Sequence, residues 1–194
     1  MADRLYLSVW LRNPEQDKQL FRFERLLRAF PFSKLVKAES VLRVLALNSN
    51  EPPLAEHVLA GLPDPEAVVR LAQEFQSPDC AIQLDCFWDL WQYRDDDWSL
   101  TPTPVTIYSF GKDFEREDGE DFRLEFGLDT QFLPESNIPG GVRMIQSNIR
   151  SLLSLVHDIE NRMPLDRRLL WSESGENFAE LLQRKLMALA QDVQ

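Results

Sequence analysis

The chain has 194 residues, of which 44% are hydrophobic and 27% charged, and a formal net charge of −11. A chain of this length buries about 70% of the surface its unfolded form exposes, so no disulfide or metal is needed to hold it, and no apolar run approaches the ~18 residues of a membrane span. Cys80 and Cys86 make neither a disulfide framework nor a Cys-x-x-Cys redox pair, and Met1-Ala2-Asp3-Arg4 leads into a strand pattern and not a signal peptide, so the expected compartment is the cytoplasm.

In chain order, residues 3 to 11 alternate Leu5, Leu7, Val9, Leu11 against Tyr6, Ser8, Trp10, which predicts a strand. Asn13-Pro14-Glu15-Gln16 carries a capping residue, a proline tolerated at the first helical position and a capping-box partner, and predicts a helix to about Phe30. Its apolar stripe is Leu20, Phe23, Leu27, Phe30, with Lys18, Arg22, Arg25 and Arg28 away from it. Val41 to Leu47 is an apolar run of strand length, and strand, helix, strand in this order suggests a parallel crossover unit. Glu51 to Asp64 is Pro-rich and reads as an irregular connection, after which Asp64-Pro65-Glu66 opens a second helix through about Phe75.

Strand-like patterns then follow at about 81 to 92, 103 to 110 and 121 to 128. Asp95-Asp96-Asp97 falls in the first connection, and Asp118-Gly119 in the second suits a tight hairpin turn. After Pro134 to Gly141 the period changes to that of a helix, with Ile145, Ile149, Leu152, Val156, Ile159 and Met163 forming one seam up to Pro164. A last helix from about Gly175 to Ala190, with Ser174 as its cap, carries Phe178, Leu181, Leu182, Leu186 and Leu189. With no internal repeat or linker, the expected fold is one α+β domain over residues 1–194. Its five-stranded mixed sheet would combine an N-terminal β-α-β crossover with an antiparallel meander, beside about four helices including a C-terminal pair.

The charge is uneven. Residues 1 to 50 carry nine basic and five acidic side chains, residues 51 to 140 five and twenty, and residues 141 to 194 seven of each. A middle segment of net −15 repels phosphate and attracts basic surfaces, so the expected partner is a protein with a basic face, and nucleic acid is disfavoured.

The sequence holds no Gly-x-Gly-x-x-Gly, no phosphate loop ending in Lys-Ser or Lys-Thr, no His-Glu-x-x-His and no Gly-x-Ser-x-Gly. Two histidines, His57 and His157, are too few for a catalytic zinc site, and His157 and Asp158 diverge on a helix. Aligning Gly119 with the glycine of a calcium loop puts Phe114 and Arg116 where ligands are obligatory, so no metal or other cofactor is expected.

The densest set of candidate residues lies between Asp79 and Asp129. One parity of the strand near residues 81 to 91 is apolar (Ile82, Leu84, Cys86, Trp88, Leu90), and the other reads Gln83, Asp85, Phe87, Asp89, Trp91. The two cysteines share the apolar parity about 20 Å apart, too far to bridge, and read as core thiols. The mixed parity, joined by either Thr106, Tyr108, Phe110 or Val105, Ile107, Ser109 from the next strand and by Arg123 and Glu125 from the third, would form an acidic-aromatic binding surface. Asp85, Phe87, Asp89, Trp91, Tyr108, Arg123 and Glu125 are therefore the candidate binding residues of a non-catalytic binding or regulatory module. The alternative is a carboxylate-dependent enzyme using Asp85 or Asp89. Those two lie about 13 Å apart along a strand, too far to work as a pair unless a neighbouring strand supplies a second acid. Helices on both sheet faces would instead turn Phe87 and Trp91 into ordinary core.

Overall fold

The computed structural model describes residues 3–14, 18–48, 50–133 and 140–192, with side chains placed through residue 187 in the last helix. Among these, seven strands are formed: β1 (Arg4–Leu11), β2 (Ser40–Ala46), β3 (Ala55–Leu59), β4 (Cys80–Arg94), β5 (Asp97–Phe110), β6 (Phe122–Leu128) and β7 (Leu165–Ser172). Four α-helices accompany them: α1 (Gln19–Ala29), α2 (Pro65–Ala72), α3 (Gly141–Arg162) and α4 (Phe178–Asp192). The strands make one sheet in the order β3-β2-β4-β5-β6-β1-β7, and every neighbouring pair is antiparallel.

This corrects the five-stranded mixed sheet. Alternating directions along the sheet leave β1 and β2 parallel to each other, as a strand-helix-strand crossover requires, but β4, β5 and β6 stand between them. The meander completes the sheet by insertion between the crossover strands, and no parallel ladder forms. The two further strands are both edges. In β3 only alternate residues are half-buried, behind Pro52 and Pro53, and in β7 Asp166, Arg167, Arg168 and Leu169 are exposed. Charges and prolines of this kind are what keep a sheet edge from pairing with other chains, and they also erase the apolar alternation that reveals a strand. The C-terminal helices are accordingly not a contiguous pair, because β7 runs between them.

The even parity of β4 is the core face: Ile82, Leu84, Cys86, Trp88 and Leu90 are all buried. They pack with Leu5, Leu7 and Val9 of β1, Phe122, Leu124 and Phe126 of β6, and the apolar stripes of all four helices in a single cluster. The α3 seam from Ile145 to Met163 is buried as its spacing requires. Asp64 caps α2 by accepting from the Ala67 amide at 3.2 Å. Three local details differ from the sequence pattern. Helix α1 starts at Gln19 after an uncapped Lys18, with Asn13 at φ 55° in the turn before it; Glu15 and Gln16 lie outside the described residues. Helix α4 is capped by Asn177, which accepts from Ala179, while the Ser174 hydroxyl bonds to Ser172. Asp118-Gly119 does not close a tight hairpin: Gly119 has the expected positive φ of 68°, but it sits inside a connection running from residue 111 to 121. The tight turn is instead Asp95-Asp96, at φ 51° and 61° between the paired Arg94 and Asp97.

Both cysteines are free and buried, and burial raises the Cys86 thiol well above its ordinary pKa. Among the described residues, no helix is long and apolar enough to cross a membrane.

Candidate functional site

With the helical stripes gathered on one face, the other face of the sheet is set by the odd positions of β2 and β4 and the even positions of β5 and β1. The pairing of Asp85 with Thr106 decides between the two possible β5 sets in favour of Thr106, Tyr108 and Phe110. Two adjacent rows then cross the sheet. One runs Val41, Asp85, Thr106, Glu125, Tyr6, Trp171, and the other Arg43, Gln83, Tyr108, Arg123, Ser8, Leu169. Among the described residues, the cover on this face is local. Phe114 of the β5–β6 connection packs on Leu45, Ala81 and Phe110, and Trp171 stacks on Tyr6 at 4.5 Å and bonds to the Ser8 hydroxyl.

A depression of about 780 Å³ remains, with Tyr108, Phe110, Arg123 and Glu125 as its floor. Its rim comes from Asn48 and Asn50 after β2 and from Glu115, Arg116 and Glu117 of the β5–β6 connection. The floor is fixed by aromatic and ionic contacts. Tyr108 stacks on Phe110 at 5.6 Å with nearly parallel rings, and the guanidiniums of Arg116 and Arg123 lie 5.6 and 5.7 Å from the Phe110 centroid. Arg123 is turned into place by Glu120, whose side chain is fully buried and accepts from Arg123 Nε at 2.8 Å.

Burial dominates the electrostatics. It raises the Tyr108 hydroxyl far above its ordinary pKa, reinforced by Glu125 and Asp85. It also raises the Glu125 carboxyl, against the opposing pull of Arg123 and Arg4. Asp85, in the neighbouring row, is already engaged by three donors: it pairs with Arg43 and accepts from Gln83 at 3.0 Å and Thr106 at 2.9 Å. Arg43 in turn bonds to Glu56 at 2.7 Å, extending the ionic chain to the β3 edge. The arrangement offers stacked rings, carboxylates and a neutral hydroxyl donor at the base of an open hollow.

Of the seven candidate residues, Asp85, Tyr108, Arg123 and Glu125 are brought together. Phe87 lies one row further along, opposite Pro104. Asp89 is engaged elsewhere, accepting from the Ser33 hydroxyl and, at 2.9 Å, from the Lys34 amide, so it closes the turn after α1. Trp91 lies near the hairpin end of β4, where Asn148 of α3 holds both of its main-chain polar groups. Sequence reasoning did not single out Arg43, Asn48, Asn50, Glu115 or Glu117. Arg43 had a visible signal, as the one charge inside the apolar run of β2, whereas the loop residues reach the site only through the tertiary fold. His157 is exposed on α3, and His57 faces the core from β3 with its Nε2 buried and unbonded. Among the described residues, no three His, Cys, Asp or Glu side chains are grouped to hold a metal. In comparisons with protein-family models, curated proteins and solved structures, nothing matches this chain.

Proposed function

We propose that the chain is a non-catalytic binding module that takes a segment of a partner protein, bearing basic and aromatic side chains, onto the uncovered face of its sheet. The observation that carries this reading is the hollow floored by Tyr108, Phe110, Arg123 and Glu125, which combines the half-buried Tyr108 ring, backed by the buried Phe110, with a carboxylate-rich rim. Ring surface of this kind supplies most of the affinity at an interface, and charge complementarity supplies specificity and association rate. The two arginines of the hollow lie against Phe110 and Arg123 is neutralised by Glu120, so Glu115, Glu117 and Glu125 set the sign presented to a partner. A carboxylate-driven reaction is less well supported, because Asp85 is held in an ion pair with Arg43 and by two further donors, and Asp89 is occupied by a turn. A cytoplasmic setting belongs to the same reading, since two buried free thiols suit a reducing compartment.

Selection of displayed random twelve-residue peptides against the protein tests the reading. Selected peptides are expected to be rich in Lys, Arg and aromatics, and to lose about tenfold or more in affinity on Tyr108→Ser and on Glu125→Lys. Peptides of no charge bias that bind both variants as tightly as the parent would overturn it.

A further inference from the structure

A second cavity of about 570 Å³, which shares Arg116 with the hollow, opens beside the first turn of α1, between Gln19 and Arg22 of that helix, the turn at Gln76-Ser77-Pro78, and Gly111, Lys112, Arg116, Gly119 and Asp121 of the β5–β6 connection. Among the described residues, its lining carries three cationic side chains, Arg22, Lys112 and Arg116, against the single carboxylate of Asp121. In a chain of net charge −11 that local excess of positive charge is unexpected.

Asp121 cannot balance all three. One of its oxygens accepts from Arg22 Nη1 at 2.9 Å and the other from the Leu11 amide at 2.8 Å. Among the described residues, Arg116 has only main-chain acceptors as hydrogen-bond partners, the carbonyls of Gly111 at 2.7 Å and Phe114 at 3.0 Å. The Nε atoms of both arginines are buried without a partner among the described residues. A buried guanidinium ordinarily has its donors filled and its charge paired, because leaving either undone forfeits hydration that nothing replaces. Burial lowers the pKa of Arg116, Glu120 and Asp121 only partly oppose this, and Arg22 adds to the depression, as expected of two like charges sharing one wall. The neighbouring acids Asp113 and Asp118 are exposed and do not line the cavity.

The walls are held by backbone contacts. Gly111 donates to Cys80 O and Asp113 to Pro78 O, each at 2.8 Å, and a Cβ on Gly111 would meet the Pro78 oxygen at 2.3 Å. Trp10 Nε1 fastens the far end of the connection by donating to Asp118 O at 3.1 Å. The cations are therefore presented by a pre-formed frame of the size that small-molecule sites have.

We propose that this cavity binds a small organic oxyanion, a phosphate monoester or a carboxylate, through Arg22, Arg116 and Lys112. The planar donor fork of a guanidinium matches either group, and Lys112, at the exposed rim, adds a point charge.

The test is a titration followed in ¹H–¹⁵N spectra that include the arginine Nε–Hε signals. The probes are phenyl phosphate, benzoate and inorganic phosphate, with sodium chloride at matched ionic strength as control. The signals of Arg22 and Arg116 are expected to shift and saturate, with a dissociation constant at or below about 1 mM for phenyl phosphate or benzoate. Tighter binding of phenyl phosphate assigns phosphate as the recognised group, and tighter binding of benzoate assigns carboxylate. Lys112→Glu changes an exposed residue outside the core and is expected to weaken binding by about fivefold or more, through reversal of one nearby charge. Three results would each overturn the proposal: shifts still linear at about 20 mM probe, shifts that sodium chloride reproduces, or a Lys112→Glu titration superimposable on the parent's, since a weak or screened association is not a site.

Discussion

Asn148 of α3 makes both main-chain hydrogen bonds of Trp91: its Oδ1 accepts from the Trp91 amide and its Nδ2 donates to the Trp91 carbonyl, each at 2.9 Å. At this point β4 has run past the end of its pairing with β2, which reaches no further than Asp85. Its edge would otherwise be unpaired, and a helix side chain takes the place of the missing strand. Nδ2 also donates to Gln131 O at 2.9 Å, so one buried amide ties three segments together.

Replacing that amide should therefore cost more than an average polar substitution. Asn148→Leu removes three hydrogen bonds and leaves partly buried main-chain groups unpaired, an expected loss of about 2 to 4 kcal/mol. Asn148→Asp keeps the acceptor but faces two carbonyls with an anion, and should be nearly as damaging at neutral pH. Urea unfolding of both variants measures it, and a loss below about 0.5 kcal/mol in each would mean that water replaces the amide freely.

Glu120 and Arg123 are the ionic counterpart. Glu120 is fully buried, with one oxygen bonded to Arg123 and the other without a partner. Glu120→Ala should cost about 2 to 3 kcal/mol, less than breaking a fully buried pair, because Arg123 keeps access to water. Replacing both residues by methionine should cost less than the sum of the two single changes, since the paired desolvation penalty disappears with the pair. Additivity within about 0.3 kcal/mol in a double-mutant cycle would show that the two groups do not interact.

The central strands were legible in the sequence because each buries one complete row, so period two survives in the residue types. That legibility extends to the site in part. Parity assigned Asp85 to the mixed face of β4, but whether Tyr108 joins it, and the meeting of both with Arg123 and Glu125, depended on register. Asp89 misled for a local reason: it shares the parity of Asp85, yet it lies just beyond the paired length of β2, where the turn at Ser33-Lys34 takes its carboxylate. Strand β7 was hidden because an edge needs only a few buried side chains, and its exposed Asp166, Arg167 and Arg168 break the pattern. The oxyanion cavity had no signature in sequence, because Arg22 and Arg116 lie far apart along the chain.

Trp88 and Trp91 separate the two faces of β4. Trp88 is buried among Phe30, Phe126 and Phe132, with centroid separations of 5.9, 5.7 and 6.2 Å. Trp88→Ala should cost about 3 to 5 kcal/mol, from lost transfer energy and the cavity left behind. Trp91 is half-buried on the opposite parity, and its anchoring runs through its main chain, so Trp91→Ala should cost about 1 kcal/mol. Equal and large losses in urea would mean that both faces of β4 are core at this point.

Glu125 gives the fold a pH dependence of definite sign. Its carboxyl is raised above the ordinary value by burial, and Asp85 contributes in the same direction while Arg123 and Arg4 oppose. A carboxyl raised on folding holds its proton more tightly in the folded state than in the unfolded one. Stability is therefore greatest while the group is protonated, and it falls as pH rises from the unfolded value, about 4.3, through the folded one. Glu125→Gln replaces the carboxyl by a neutral group of the same shape and removes this loss. The variant should unfold at higher urea than the parent at pH 7, and the difference should shrink to nothing below about pH 4, where the parent is protonated in both states. A variant that is less stable than the parent at pH 7 would show that the pairing of Glu125 with Arg123 and Arg4 outweighs its desolvation. Glu125 would then be a structural ion-pair member, and its part in the binding hollow would have to be reassigned.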